Sequence, residues 1–260
     1  MQARSVARCR ESLNARCPMT PRSDAPRYAV LIDADNAQAS LVAGMLAEVA
    51  KYGVAGIKRA YGDWTTPNLG RWKETLLEHS IQPIQQFRYT SGKNATDSAM
   101  IIDAMDLLHG QQLQGAAIVS SDSDFTRLAQ RLREGGLYVI GIGERKTPRP
   151  FVAACDRFVY TDLLSTDEPA GVATPATPKF DKAMLKLLRS AVEAEADDDG
   201  WATLSGVGPH INRVQPEFDP RSHGHQKLSL LFDALPEFEV RKTPLPGGTS
   251  KISVRRAKGA

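Results

Sequence analysis

The sequence predicts an α/β protein in two parts. Residues 28–164 are expected to fold as a three-layer α/β/α domain around a mainly parallel sheet, and residues 179–258 as a small winged-helix α+β domain. Three observations predict this. Short β-branched runs alternate with helical stretches as far as about residue 160, an order that places parallel strands between two helical layers. The segment 165–178, STDEPAGVATPATP, is rich in Pro, Thr and Ala, has no aromatic residue and no periodicity, and so reads as a linker. Beyond it, three short helical patterns and a hairpin pattern follow in the order of a winged helix-turn-helix.

Residues 28–32 are the first predicted strand, and a helix over about 37–51 follows with Leu41, Met45, Leu46 and Val49 on one face. Residues 56–61 give a second strand, and Thr66-Pro67 opens a helix that runs to residue 79. A third strand covers 82–87. Thr96 is expected to cap a helix carrying Met100, Ile101, Ala104, Leu107 and Leu108 in register. Residues 116–119 are the fourth strand, 125–134 a helix ended by Gly135-Gly136, 137–142 the fifth strand and 158–160 the sixth. After the linker, helices are expected over 181–194, 204–214 and 226–235, the last burying Leu228, Leu231 and Leu235. Strands over 237–242 and 251–255, joined by TPLPGGTS, form the hairpin, and Trp201 is expected in the core.

Composition limits the function classes. No apolar run approaches the ~20 residues that a membrane-spanning helix needs. The three cysteines, Cys9, Cys17 and Cys155, have neither the number nor the spacing of a disulfide framework or a thiolate zinc site, and a reducing cytoplasm fits them. Residues 1–27 carry six arginines against Glu11 and Asp24. Their apolar residues are too scattered for a secretory signal, so they are expected to form a disordered basic arm, with Met19 as an alternative start. From Arg241 onward there are six basic residues and no acidic one. Basic ends around a mildly acidic middle suit a protein that meets a polyanion and also holds metal ions.

Two predicted strands end in acid. The first runs AVLIDADN and delivers Asp33, Asp35 and Asn36 at its carboxyl end, and the fourth runs AAIVSSDSDF and delivers Asp122 and Asp124. In open parallel sheets the carboxyl edge at a topological switch point is where ligands bind, and strands one and four flank that point in common doubly wound orders. Asp97, at the start of the helix leading into strand four, is expected to join them. Carboxylates crowded at one edge raise one another's pKa, a cost that a bound divalent cation removes. Magnesium and manganese suit such oxygen ligands, and the arrangement predicts metal-dependent phosphodiester hydrolysis with Asn36 orienting a ligand or water. Taken singly, Asp97, Asp122 and Asp124 are equally explained as helix caps or dipole partners. Capping leaves Asp33 and Asn36 unexplained. Asp35 ranks lower because adjacent positions diverge as the strand ends, and Asp103, roughly 240° around its helix from Asp97, is expected at the surface.

The strand-terminal IDADN, the KNATD ahead of a helix, and VSSDSDF resemble, in order and context, the NYN domain of the PIN-like ribonuclease superfamily, over roughly residues 28–165. The resemblance implies a metal-dependent ribonuclease in which Asp33, Asp97, Asp122 and Asp124 form the acidic metal site and Asn36 assists. The segments DGWATLSGVGPHI and FDPRSHGHQKLSLLFDALPEFEV resemble the OST-HTH or LOTUS domain, which implies binding to RNA and to protein partners in ribonucleoprotein particles. Two alternatives stand beside it. A catalytically inactive RNA-binding or scaffold protein would carry the same motifs. A haloacid-dehalogenase-like phosphatase is suggested by Asp33-Ala34-Asp35, but that family follows its acids with Thr or Val. Here Asn36-Ala37 follow, Tyr61-Gly62 ends the second strand, and no lysine lies between Lys93 and Asp122.

Lys93, in the loop before Asp97, is placed to meet a phosphate. Trp64, Arg71 and Trp72 follow the second strand on its carboxyl side and are placed to stack on unpaired bases, with at least one Trp packing in the core. Lys251, Arg255 and Arg256 in the hairpin are expected to track a phosphate backbone. His223 and His225 are too close together and too poor in partners for a metal site, and read as structural. Gly141-Ile142-Gly143 lacks the third glycine and the helix of a dinucleotide fingerprint. The sequence has no Walker loop.

Overall fold

In the computed structural model, residues 25–87, 95–110, 112–164, 181–245 and 250–257 are described. Residues 1–24 of the expected basic arm, the linker and Lys93 lie outside them; the end of that arm is not disordered, because Arg27 opens the first strand and Pro26 O accepts from Val54 N. Six strands, β1 (Arg27–Asp33), β2 (Val54–Gly62), β3 (Gln82–Gln85), β4 (Gly115–Val119), β5 (Tyr138–Gly143) and β6 (Arg157–Tyr160), form one sheet in the order β3-β2-β1-β4-β5-β6. Every pairing is parallel. The central strands read as continuous apolar runs because both faces of the sheet are covered.

Strand alternation divides the core. Ala29 and Leu31 of β1, with Ala116 and Ile118 of β4, face α3 (Ala95–Gly110), α4 (Thr126–Glu134) and α5 (Arg149–Ala154). Tyr28, Val30 and Ile32, with Ala117 and Val119, face α1 (Val42–Ala50) and α2 (Trp72–Glu78). A residue's parity in β1 or β4 therefore decides which helical layer its side chain meets. Gly141 and Gly143 serve packing: a Cβ at Gly141 would stand 2.4 Å from the Phe158 ring, and one at Gly143 2.6 Å from the Ser120 carbonyl.

Several elements differ from the sequence expectation. The helix predicted over 37–51 is a 3₁₀ turn, Ala39–Leu41, followed by α1. The one opened by Thr66-Pro67 is likewise a 3₁₀ turn, Pro67–Leu69, before α2. α5 escaped detection because six residues cannot display a helical period; Pro148 opens it. Thr96 is no cap. It lies within the first turn of α3, buried, and its hydroxyl donates to Asp35 Oδ2 at 3.2 Å.

The C-terminal part packs α6 (Lys182–Ala194), α7 (Leu204–Val214) and α8 (Leu228–Asp233) against a three-stranded antiparallel sheet in the order β7-β9-β8, from β7 (Ala202–Thr203), β8 (Phe238–Pro244) and β9 (Ser250–Arg256). The Asp181 carboxylate accepts from Ala183 N and caps α6. Leu188, Val207, Ile211, Leu231, Phe232 and Val254 form its core. Trp201 is not in that core. It is half-buried, with the Arg241 and Arg255 guanidiniums 4.2 and 4.5 Å from its ring centroid.

The two parts also meet directly, which linker composition does not announce. Phe158 N on edge strand β6 donates to Pro216 O at 2.9 Å, so a C-terminal segment covers an edge that would otherwise expose unpaired backbone. The other edge, β3, is four residues long and contains Pro83, which blunts it. Around the junction, Arg157 pairs with Asp219, and both are buried. Arg157 also donates to Asn212 Oδ1 at 2.9 Å and to Phe218 O. Arg221 bridges Asp219 at 2.8 Å and the buried Glu48 of α1. Burial pushes the Asp219 carboxyl up, but bonds and charge from Arg221 and Arg157 outweigh it and hold the group below its ordinary range.

Removing one member of a buried ion pair strands the other, at about 3–5 kcal/mol. Arg221 still partners Asp219 in Arg157→Ala, which sets the expected loss near the lower end, roughly 3 kcal/mol. Arg145→Ala, at the half-exposed contact with Asp162 and Ser222, should cost about 1 kcal/mol or less. Denaturant unfolding of both variants checks this. Equal losses would mean that the junction is not formed in solution.

Candidate active site

The chain turns to opposite sides of the sheet after β1 and β4: α1 follows β1 on one face, and α4 follows β4 on the other. The carboxyl ends of these two strands therefore border an open crevice. Asp33 continues the parity of Ala29 and Leu31, and Ser120 that of Ala116 and Ile118, so both point toward the α3 layer. The Ser120 hydroxyl donates to Asp33 Oδ2 at 2.9 Å and accepts from Asp122 N at 3.1 Å. Asn36 Nδ2 donates to the same Oδ2 at 2.7 Å. Oδ1 of Asp33 is buried with no hydrogen-bond partner. Burial raises the Asp33 pKa, and the bonds from Asn36 and Ser120 only partly offset this.

Met100 and Ala104 anchor α3 on this face and bring Asp97, in its first turn, over the strand ends. Asp97, Asp122 and Asp124 each offer a carboxylate oxygen, all within 4.8 Å of one another. Burial and then the charges of Asp33, Asp122, Asp124 and Asp35 push Asp97 from 3.8 up to about 6. Asp33 acts on this group through its charge without belonging to the three-oxygen cluster. Capping coexists with the cluster: Asp122 Oδ1 accepts from Asp124 N at 2.9 Å. An all-oxygen donor set beside a buried carboxylate oxygen with no partner suits a hard divalent cation.

Other predicted residues fall elsewhere. Asn36 spends its amide on Asp33. Trp72 is buried in the core, which excludes it from stacking on bases: its ring is consumed by the apolar layer beneath β1 and β2. Trp64 is half-buried, its ring edge-on to Trp72 at 6.3 Å and its indole N–H on the Ile84 carbonyl at 3.0 Å. Arg71 is exposed, beside a groove shared with Gln38, Ser40 and Thr75. In the hairpin Lys251 is exposed, whereas Arg255 binds Glu239 at 2.6 Å and Arg256 binds Glu193 at 2.8 Å. Asp103 is not a solvated surface acid. It takes bonds from both Arg59 and the buried Tyr61 hydroxyl, pinning α3 to β2. Burial first, then that acid, raises the Tyr61 pKa.

Ser120 escaped the sequence reading. Its signal was its position as the first residue after β4, on the parity of Ala116 and Ile118.

A carboxyl whose folded pKa is raised contributes stability below its unfolded pKa and loses it as pH rises through the folded value. For Asp97 that window runs from 3.8 to about 6. In EDTA, the melting temperature of Asp97→Asn minus that of the wild type should therefore increase from pH 4 to pH 7. A difference constant with pH would mean that the carboxylates are not crowded.

Comparison with known proteins follows the same division of the chain. A family profile described as the NYN domain matches residues 27–164, and one described as the OST-HTH/LOTUS domain matches residues 176–249. No curated protein matches. Among solved structures, a protein of unknown function from Vibrio parahaemolyticus is 16% identical with a TM-score of 0.45, covering 54% of this chain and 96% of its own. An uncharacterized protein from Nitrosomonas europaea is 33% identical with a TM-score of 0.29, over 37% of this chain and 90% of its own. A protein from Chromobacterium violaceum is 32% identical with a TM-score of 0.27, over 32% and 91%. With its six-stranded parallel domain matched from end to end over more than half of the sequence, the chain belongs to the NYN family and carries an OST-HTH/LOTUS domain after it.

Proposed function

We propose that this protein is a magnesium- or manganese-dependent ribonuclease that hydrolyses RNA phosphodiester bonds at the acidic crevice between β1, β4 and α3. A nuclease-type domain joined to an RNA-binding domain supports action on RNA. The observation that carries the metal dependence is the meeting of Asp97 with Asp122 and Asp124 within 4.8 Å, from segments remote in sequence.

Asp33, Asp97, Asp122 and Asp124 would hold the ion, which when bound supplies an activated water and neutralises charge building on the phosphate. The surrounding residues position these acids. Asn36 and Ser120 occupy Asp33 Oδ2 and leave Oδ1 for a ligand. The cap to Asp124 N fixes Asp122 through Oδ1 and leaves its second oxygen for the same purpose. The Thr96 hydroxyl on Asp35 ties the start of α3 to the turn after β1. Lys93, just before α3, and Arg71 are assigned to substrate phosphates, and Trp64 to the path of the RNA. The C-terminal domain, read as a winged helix, would hold RNA through Lys251, Arg255 and Arg256 and offer a surface to a ribonucleoprotein partner, in the cytoplasm. Arg255 and Arg256 would exchange their carboxylate partners for phosphates, which makes binding salt-sensitive.

Labelled single-stranded and structured RNAs incubated with manganese or with EDTA test this. Wild type should cleave only with manganese. Asp122→Asn should lose about a hundredfold or more, while staying folded, because its amide oxygen can still accept from Asp124 N. Equal cleavage by both proteins would remove the catalytic assignment; absence of cleavage by wild type with retained RNA binding would point to the inactive RNA-binding alternative.

A further inference from the structure

We infer that the outer face of the β7-β9-β8 sheet is a stacking surface for unpaired nucleobases, centred on Trp201 and Arg241. The inference rests on the RNA-binding reading of this domain and names the surface within it. Register defines the face. Ala202, Val240 and Val254 are mutually aligned across the three strands, and all three belong to or pack on the apolar core. Their neighbours Thr203, Ser253, Arg241, Arg255 and Glu239 consequently point the other way.

Trp201, one position before β7, lies over this outer face. It is in neither the core nor the residues packed on it, and among the described residues two guanidiniums lie over its ring, at 4.2 and 4.5 Å from the centroid. Ser253 is only 3% exposed despite its outward position, as expected where large flat side chains lie across it. Arg241 makes no ion pair among the described residues and is exposed, as is Lys251 two positions from Ser253. Arg255 is already balanced by Glu239, and Asp198 and Asp199 bound the surface at the turn before Trp201.

An indole with guanidiniums over its ring forms a cluster whose aromatic and guanidinium surfaces can both stack on bases while the guanidinium N–H groups meet phosphates. An acidic peptide would use only the cations. A base-paired duplex keeps its bases stacked internally and would gain nothing from the ring. Single-stranded RNA is the occupant that uses both parts of the surface.

The test uses the full chain in EDTA with fluorescein-labelled ten-nucleotide single strands of adenosine and of uridine, the matching duplex, and polyglutamate as an acidic control, all read by anisotropy. Wild type should bind the single strands more tightly than the duplex. Trp201→Ala should weaken single-strand binding by about tenfold, Trp201→Phe by less, and Arg241→Gln, which keeps the ring, should weaken it as well. Circular dichroism confirms that each variant is folded. Unchanged affinity in both Trp201→Ala and Arg241→Gln would overturn the inference, and so would a duplex or polyglutamate bound as tightly as the single strands. The nuclease reading fails separately, if wild type binds these strands yet leaves them intact with manganese.

Discussion

Repulsion among carboxylates held at the carboxyl ends of β1 and β4 is the constraint around which the N-terminal domain is arranged. Those positions follow from strand parity: the alternation that sends Leu31 and Ile118 into the α3 layer also sends Asp33 and Ser120 there. Helix α3 is then fixed over them by Met100 and Ala104 below and by Asp103 on Arg59 and Tyr61 at its side. With α3 so held, Asp97 cannot retreat from Asp122 and Asp124 without loss of packing. The raised pKa of Asp97 is the electrostatic consequence, and a cation is the chemical remedy.

The junction between the two domains gives that site a fixed neighbour. A purely flexible tether would let the C-terminal domain raise only the local concentration of RNA. Here the Phe158 backbone bond and the Arg157, Asp219, Arg221 and Glu48 network set the C-terminal domain against the β6 edge. The contact therefore restricts the orientations that the C-terminal domain can take relative to the N-terminal one. The contact is polar and charged rather than apolar, so its strength depends on completing every buried pair.

Much of this was legible in the sequence. Strands announced themselves as β-branched runs, and the acids at their ends were visible because a charged residue directly after an apolar run has few structural uses. What escaped detection has physical causes. Ser120 looks like any polar residue after a strand until the parity of β4 is known. Asp103 was misread as a solvated acid because helical angle alone cannot reveal that Arg59 and Tyr61 wait on the adjacent strand. Trp201 was placed in the core because size and hydropathy favour burial, whereas the register of β7 on β9 turns it outward beside two arginines. The ion pairs that cross the junction, Arg157 with Asp219 and Arg221 with Glu48, join residues 62 and 173 positions apart, and no local pattern encodes them.

Whether these carboxylates form a cation site is decided by manganese binding. Titration of the metal-free protein with manganese, followed by the electron paramagnetic resonance signal of the free ion, should show that signal depleted by wild type. A variant with Asp97→Asn and Asp122→Asn together should leave it close to that of buffer. A wild-type titration indistinguishable from buffer even at protein concentrations of about 1 mM, the weak end for oxygen-ligand cation sites, would overturn this assignment.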